Sequence, residues 1–319
     1  MCYSAMVKAD FKKYQQMFGA TMGIAEFHDL FFRRAEGGKH KVPKAVEAAF
    51  DSPGTEGERE IRELIDRYNA QQATAYEQEM FKQRKRLADA ERALQTKTTK
   101  KALDDQRIST DKVKQLLGRL SDLTRTELLD RDSRMFPGYY VPVMVSEGGQ
   151  RVVKLMRYQC RLAGKPAFYD VKLPGLYNAR RDNLEGFWKG QFGHTHALMV
   201  VSRFFENVNR HKAEGRELRP GEGPENTVLE FRPRPAHDML VACLWSKWTG
   251  PGEPDLLSFA AITDDPPSEV AAAGHDRCIV SIKPENIDAW LNPNPKDMGA
   301  LHAILDDRDQ PYYEHRMAA

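Results

Sequence analysis

Four residues spread along the chain carry groups suited to carbonyl chemistry: Cys2, Asn178, Glu206 and His275. Cys2 follows Met1. If Met1 is removed, Cys2 holds an α-amine and a thiol on adjacent carbons. The amine can condense with an aldehyde to an imine, and the thiol can then close a five-membered thiazolidine ring. In a second mode the thiol attacks a carbonyl while the α-amine acts as base, as in N-terminal-nucleophile hydrolases. A cysteine that merely happens to be second in the chain is the plainer reading of position 2.

The other three also read in two ways. Asn178 stands in Leu176-Tyr177-Asn178-Ala179-Arg180-Arg181 after Pro174-Gly175. It is either an amide aimed at a reacting group, with Arg180 as a fork for phosphate oxygens, or an Asn turn between surface arginines. Glu206 follows Phe204-Phe205 at the end of an apolar run. A desolvated carboxyl there would be raised into the range of general acid–base work; a solvated one would not. His275 follows Ala271-Ala272-Ala273-Gly274 and precedes Asp276-Arg277-Cys278. It is a proton carrier near neutral pH or a turn histidine.

The elements that must position these groups fall into two kinds. Lys8–Phe18 reads as a short amphipathic helix stopped by Gly19, and Ile24–Arg34 as a second. From 55 to 130 a helical period (Ile61, Leu64, Ile65, Tyr68, Tyr76, Met80, Leu87, Leu94) runs through a charged background. It breaks at Lys97-Thr98-Thr99-Lys100 and resumes at Val113, with Thr110 or Asp111 as N-cap. This region is expected to be a long helical hairpin inserted into another fold. After Met135, strands predominate. Val141–Val145 and Arg151–Leu155 form a hairpin around Glu147-Gly148-Gly149. Ala197–Phe205, Thr227–Arg232, Met239–Trp245, Leu256–Thr263 and Arg277–Ile282 follow, then a helix opened by Pro284. The expected class is α+β: a mainly antiparallel, barrel-like β core with flanking helices and the inserted hairpin. The 319 residues are expected to make a single domain with 55–130 inserted, and 306–319 to be an exposed C-terminal extension.

Composition narrows the partners. Lys plus Arg total 48 against 46 for Asp plus Glu, so the chain is not a polybasic nucleic-acid binder, although a local basic groove is compatible with that balance. Cys2, Cys160, Cys243 and Cys278 are too scattered for a disulfide framework or zinc site. His194 and His196 lack ligand-spaced partners, so no metal and no cofactor are expected. No apolar run is long enough to span a bilayer and no signal-peptide pattern opens the chain. A cytoplasmic location is therefore expected.

Taken together, Cys2, Asn178-Ala179-Arg180, Phe204-Phe205-Glu206 and His275-Asp276-Arg277, in that order, resemble the motifs of the SOS-response-associated peptidase (SRAP) family, the abasic-site-processing proteins. Ile287-Asp288-Ala289-Trp290-Leu291 after the last motif also agrees. The resemblance covers residues 1–35 and about 134–293. It implies a sensor that forms a covalent thiazolidine DNA–protein crosslink at abasic sites in single-stranded DNA, after removal of Met1 by self-processing or by an aminopeptidase. On that basis Cys2 is the nucleophile, Glu206 shuttles protons, Asn178 orients the amine, and His275 assists sugar opening. Arg180 and Arg277 would hold phosphates, and Phe136 or Trp188 would stack on bases. The same resemblance implies a DNA-damage role, peptidase and lyase-like activity, and nucleoid association when bound. Tyr3-Ser4 departs from the family's Gly-Arg and removes a cation near the nucleophile; Asn207 and Cys278-Ile279 depart as well. Two other functions stay open: a glutamine-amidotransferase-like hydrolase using the Cys2 thiol, and a non-catalytic protein that binds a partner through the helical insertion.

Overall fold

The computed structural model describes residues 3–318. Its strands in chain order begin with β1 (Ser4–Val7), β2 (Thr21–Met22), β3 (Arg134–Met135), β4 (Tyr140–Glu147), β5 (Gln150–Tyr158), β6 (Asn178–Arg180) and β7 (His196–Asn209). They continue with β8 (Asn226–Arg234), β9 (Met239–Gly250), β10 (Glu253–Asp264), β11 (Cys278–Ile279), β12 (Ser281–Ile282), β13 (Arg308–Asp309) and β14 (Tyr312–Met317). The helices used below are α1 (Phe11–Phe18), α2 (Ile24–Ala35), α3 (Lys44–Ala48), α4 (Glu56–Thr96) and α5 (Lys100–Thr124). The fold is α+β.

Five strands close on themselves. β7 pairs with β9, β9 with β10, β10 with β5, β5 with β4, and β4 returns to β7 through Met144 and Leu198. All these pairings are antiparallel except β10 with β5. Closure leaves no free edge within the ring. Alternate residues fill its inside: Val141, Val143 and Val145 of β4, Ala197, Met199 and Val201 of β7, Val241 and Cys243 of β9, and Phe259 and Ala261 of β10 share one buried cluster. This is the period of two expected of strands. The intervening Leu198, Val200, Leu240 and Leu244 are buried too. A short helix, Ile287–Leu291, covers β7: Trp290 is fully buried and its indole N–H donates to the Ala197 carbonyl at 3.0 Å.

β7 is long enough to do two things. Its first half belongs to the ring; its second half, from Arg203 onward, pairs with β1 on one edge and β8 on the other. The segment after Cys2 is thus a strand, in register Ser4↔Phe205 and Ala5↔Phe204. Just beyond it, Asp10 caps α1 by accepting the Lys12 N–H at 2.9 Å.

The C-terminal segment, mostly exposed, is nonetheless a strand of the sheet. β14 pairs with β8 over Tyr312–Met317, and Tyr313 is buried, its ring edge-on to Phe204 at 5.2 Å. The Tyr312-Tyr313 pair supplies alternating outward and inward aromatics, which is a strand signal.

Residues 31–38 and 53–129 form a separate compact unit, the helical hairpin; the remainder, carrying the whole sheet, forms the other. α4 is 41 residues long, capped by Thr55, whose hydroxyl accepts the Glu58 N–H. Glu58 in turn accepts the Gly54 N–H at 2.7 Å. α5 begins ten residues earlier than Thr110, because the Thr99 hydroxyl caps it by accepting the Ala102 N–H. Ala90 of α4 and Ala102 and Leu116 of α5 are buried, and Arg86 pairs with Asp105 between the two helices.

Candidate functional site

Glu206 lies near the end of β7 and is completely buried. The preceding Phe204 stacks on Phe231 of β8 at 5.1 Å. Burial raises the Glu206 carboxyl well above the ordinary 4.5, which favours its protonated form. The backbone N–H of Tyr3 faces this carboxyl and opposes part of the upward shift. Tyr3 is the residue after Cys2; Met1 and Cys2, and with them the predicted nucleophile, lie outside the described residues.

His275 approaches from the turn between a short helix, Ser268–Ala272, and β11. Its Nε2 lies 3.3 Å from Oε2 of Glu206. Gly274 makes the turn possible: it adopts φ +93°, and a Cβ there would meet the Lys212 side chain at 2.8 Å. The Nδ1 of His275 lies 2.8 Å from the Arg277 carbonyl, an acceptor only. The Arg277 N–H also approaches Nδ1, at 3.3 Å; the shorter carbonyl contact favours a proton on Nδ1, with Nε2 facing Glu206. Burial lowers the pKa of His275 below 6.5, so the ring is neutral. Both shifts favour the uncharged forms, an acid beside a base, the arrangement that lets one proton move between them. His275 also lines a shallow surface cleft of about 470 Å³ with Lys212, Arg216 and Asp276.

Asn178 is placed by β6, which pairs in parallel with β10 in register Ala261↔Asn178 and Thr263↔Arg180. On the other edge of the same end of β10 lies β11, with Thr263↔Ile279. Asn178 and the turn bearing His275 are thus both fixed by the last residues of β10. Asn178 is buried; the Tyr158 hydroxyl donates to its Oδ1 at 3.5 Å, and its Nδ2 is buried with no partner among the described residues. An unsatisfied buried donor costs about 1–3 kcal/mol and invites an acceptor.

The predicted phosphate ligands fare differently. Arg180 is exposed and its guanidinium is engaged by Asp182 at 2.7 Å. Arg277 is half-buried beside the His275 turn. Trp188 cannot stack on a base: it is 2% exposed, packed edge-on against Phe187. Phe136 remains half-exposed, in a row with Tyr3 and Tyr139, each ring centroid 5.7 Å from that of Phe136.

That row includes residues that motif and spacing do not single out. Tyr3 is 39% exposed. The Arg134 guanidinium lies 3.8 Å from the Phe205 ring centroid and 5.1 Å from that of Phe136, and its Nε donates to the Ser4 hydroxyl at 3.1 Å. The cation missing where Ser4 replaces Arg is thus supplied by a guanidinium from β3. The Lys41 ammonium stands 5.9 Å from the Tyr139 ring. The run Arg134-Met135-Phe136-Pro137-Gly138-Tyr139-Tyr140 is the signal that could have found it: basic and aromatic residues interleaved in a turn. Among the described residues no group of His, Cys, Asp or Glu could hold a metal ion, and Cys160, Cys243 and Cys278 are buried free thiols.

Residues 92–318 match the profile of the SOS response associated peptidase (SRAP) family, and the chain belongs to that family. Membership supports a DNA-damage-related role and a peptidase-like activity. No curated protein matches the chain. Among solved structures, a protein from Bordetella bronchiseptica is 13% identical over 59% of this chain and 87% of its own, with a TM-score of 0.46. One from Bacteroides thetaiotaomicron is 14% identical over 58% and 77%, TM-score 0.47. A phage-related protein from Bordetella bronchiseptica is 18% identical over 58% and 80%, TM-score 0.43. No helix among the described residues is long and apolar enough to cross a membrane.

Proposed function

We propose that the protein senses abasic sites in single-stranded DNA and becomes covalently attached to them through Cys2 once Met1 has been removed. The observation that carries this reading is the buried Glu206–His275 pair, which the backbone N–H of Tyr3, the neighbour of Cys2, faces.

The ring-opened sugar of an abasic site presents an aldehyde. The neutral α-amine of Cys2, whose ordinary pKa is about 7.7–8, adds to the aldehyde carbon. A C–N bond forms, the carbonyl π electrons move to oxygen, and that oxygen takes a proton from the newly formed ammonium nitrogen. Protonated Glu206 then delivers its proton to the carbinolamine hydroxyl; the C–O bond breaks and water leaves. Neutral His275 accepts at Nε2 the proton released by the iminium nitrogen and passes it back to Glu206, which restores the pair. Addition of the thiol sulfur to the imine carbon forms the C–S bond and closes the thiazolidine, with the thiol proton ending on nitrogen. One water is produced, and no oxidant or cofactor is needed. Asn178 offers its spare Nδ2–H to the developing oxyanion.

The row of Tyr3, Phe136 and Tyr139, edged by Arg134, supplies base-stacking faces and a cation beside the nucleophile, the pattern used to hold single strands. The experiment is adduct formation with a single-stranded oligonucleotide containing an abasic site, read on a denaturing gel.

A further inference from the structure

The charges of the helical hairpin are sorted along its length. From Glu56 to Glu79 of α4 there are seven acidic residues against three basic; from Met80 through Lys101 there are eight basic against two acidic, a surplus of six positive charges. A face that is merely solvated gains nothing from such sorting, because interspersed signs allow favourable i,i+4 pairs along the whole helix.

Pairing sharpens the contrast. In the basic half, Asp89 is paired with Arg92, and Asp105 of the facing helix with Arg86. The side chains of Lys82, Arg84, Lys85, Lys97, Lys100 and Lys101 are exposed and make no ion pair among the described residues. Lys82 and Lys85 stand on neighbouring turns of a rigid rod, and the last three surround the hairpin turn. At 1.5 Å per residue, the stretch of α4 from Lys82 to Thr96 spans about 20 Å.

We propose that this half of the hairpin docks on the phosphate backbone of double-stranded DNA. Duplex DNA carries one negative charge per roughly 1.7 Å of axis and stays straight over lengths far beyond 20 Å, its persistence length being about 150 base pairs. A fixed row of unpaired cations meets such a rod with little ordering on either side, whereas a single strand would have to be immobilised against it. The unit would hold the protein on intact duplex, and the chemistry at Cys2 is a separate event. The inference shares with the proposed function only the identity of the ligand.

The test is fluorescence anisotropy of full-length protein with a fluorescein-labelled, undamaged duplex, at salt concentrations between about 50 and 200 mM. Wild type is expected to bind, with affinity falling steeply as salt rises. A variant carrying Lys82→Gln, Lys85→Gln, Lys97→Gln, Lys100→Gln and Lys101→Gln should bind at least about tenfold more weakly, its log–log salt slope shallower by about 0.9 for each phosphate no longer neutralised. Glu60→Gln with Glu63→Gln, in the acidic half, should leave affinity and slope unchanged. Gln95→Lys adds an exposed cation without removing anything, and should tighten binding and steepen the slope even if the quintuple variant loses helicity by circular dichroism. Absence of duplex binding by wild type, an unchanged slope in both basic-half variants, or equal binding of a single strand of the same length would overturn the proposal. Duplex binding without any abasic-site adduct would leave it standing and remove the proposed function instead.

Discussion

The Nε2 of His275 lies 3.3 Å from Oε2 of Glu206, inside the protein, with the ring's other nitrogen committed to the Arg277 carbonyl. Burial pushes the acid's pKa up and the base's down, which disfavours opposite charges on the two. His275→Ala removes the acceptor and should slow adduct formation by on the order of 10²-fold, as for other general acid–base groups. The check is single-turnover adduct kinetics; His275→Gln, which keeps a polar partner for Glu206 but no base, should be equally slow while remaining folded.

Glu206→Gln should slow the reaction on a similar scale, and it carries a stability signature with a defined sign. The folded-state pKa of Glu206 lies above the unfolded value near 4.5, so the native state keeps a proton the unfolded chain has released. Native stability therefore falls as pH rises from 4.5 towards the folded-state pKa. The Gln variant has no such loss, so its Tm advantage over wild type should grow across that interval. Thermal melts at a series of pH values read this directly; an advantage that shrinks with rising pH would contradict a buried, protonated Glu206.

Asn178→Ala separates a reactive role from a structural one. The change removes a weak bond from Tyr158 and an unsatisfied buried N–H together, effects of opposite sign of about 1 kcal/mol each. Stability should hardly move, while loss of an oxyanion donor should cost the adduct rate on the order of 10²-fold. A variant that melts early yet reacts at the wild-type rate would make Asn178 a packing residue.

Arg134→Gln tests the aromatic row. It removes the charge above the Phe205 ring, the bond to Ser4 and the cation beside Tyr3 and Phe136. Binding of undamaged single-stranded DNA should weaken, with loss of about 0.7 units of salt slope. Stability should fall by about 1–2 kcal/mol as the cation–π interaction and the hydrogen bond disappear. Tyr3→Ala should weaken single-strand binding by ~1–3 kcal/mol if a base stacks on the ring.

How much of this is legible in the sequence depends on the range of the interactions involved. The α1 stop at Gly19, the β4–β5 hairpin around Gly148-Gly149 and the length of α4 follow from local signals, and local signals are written in consecutive residues. The start of α5 escapes the periodicity because the Thr99 cap falls before the apolar period resumes. The docked tail escapes it because β14 depends on β8, some eighty residues earlier, which composition does not reveal. Glu206 and His275 can each be singled out, but their contact spans 69 positions and follows from the long β7 and the turn at Gly274. Trp188 looks available for stacking only because burial is a property of the folded chain.

The docked tail gives a prediction of its own. Tyr313→Ala should destabilise the protein by ~3–5 kcal/mol, the usual cost of emptying a large aromatic site, as measured by urea unfolding. An exposed extension would give no change.

The central claim is tested most directly by incubating Met1-processed protein with single-stranded oligonucleotides that carry or lack an abasic site, followed by a denaturing gel. The account predicts a shifted band that requires both the abasic site and Cys2, is absent for Cys2→Ala, and for Cys2→Ser is replaced by an imine trapped only with borohydride. Processed protein, with Met1 shown by mass spectrometry to be gone, that gives no band on abasic DNA would contradict it.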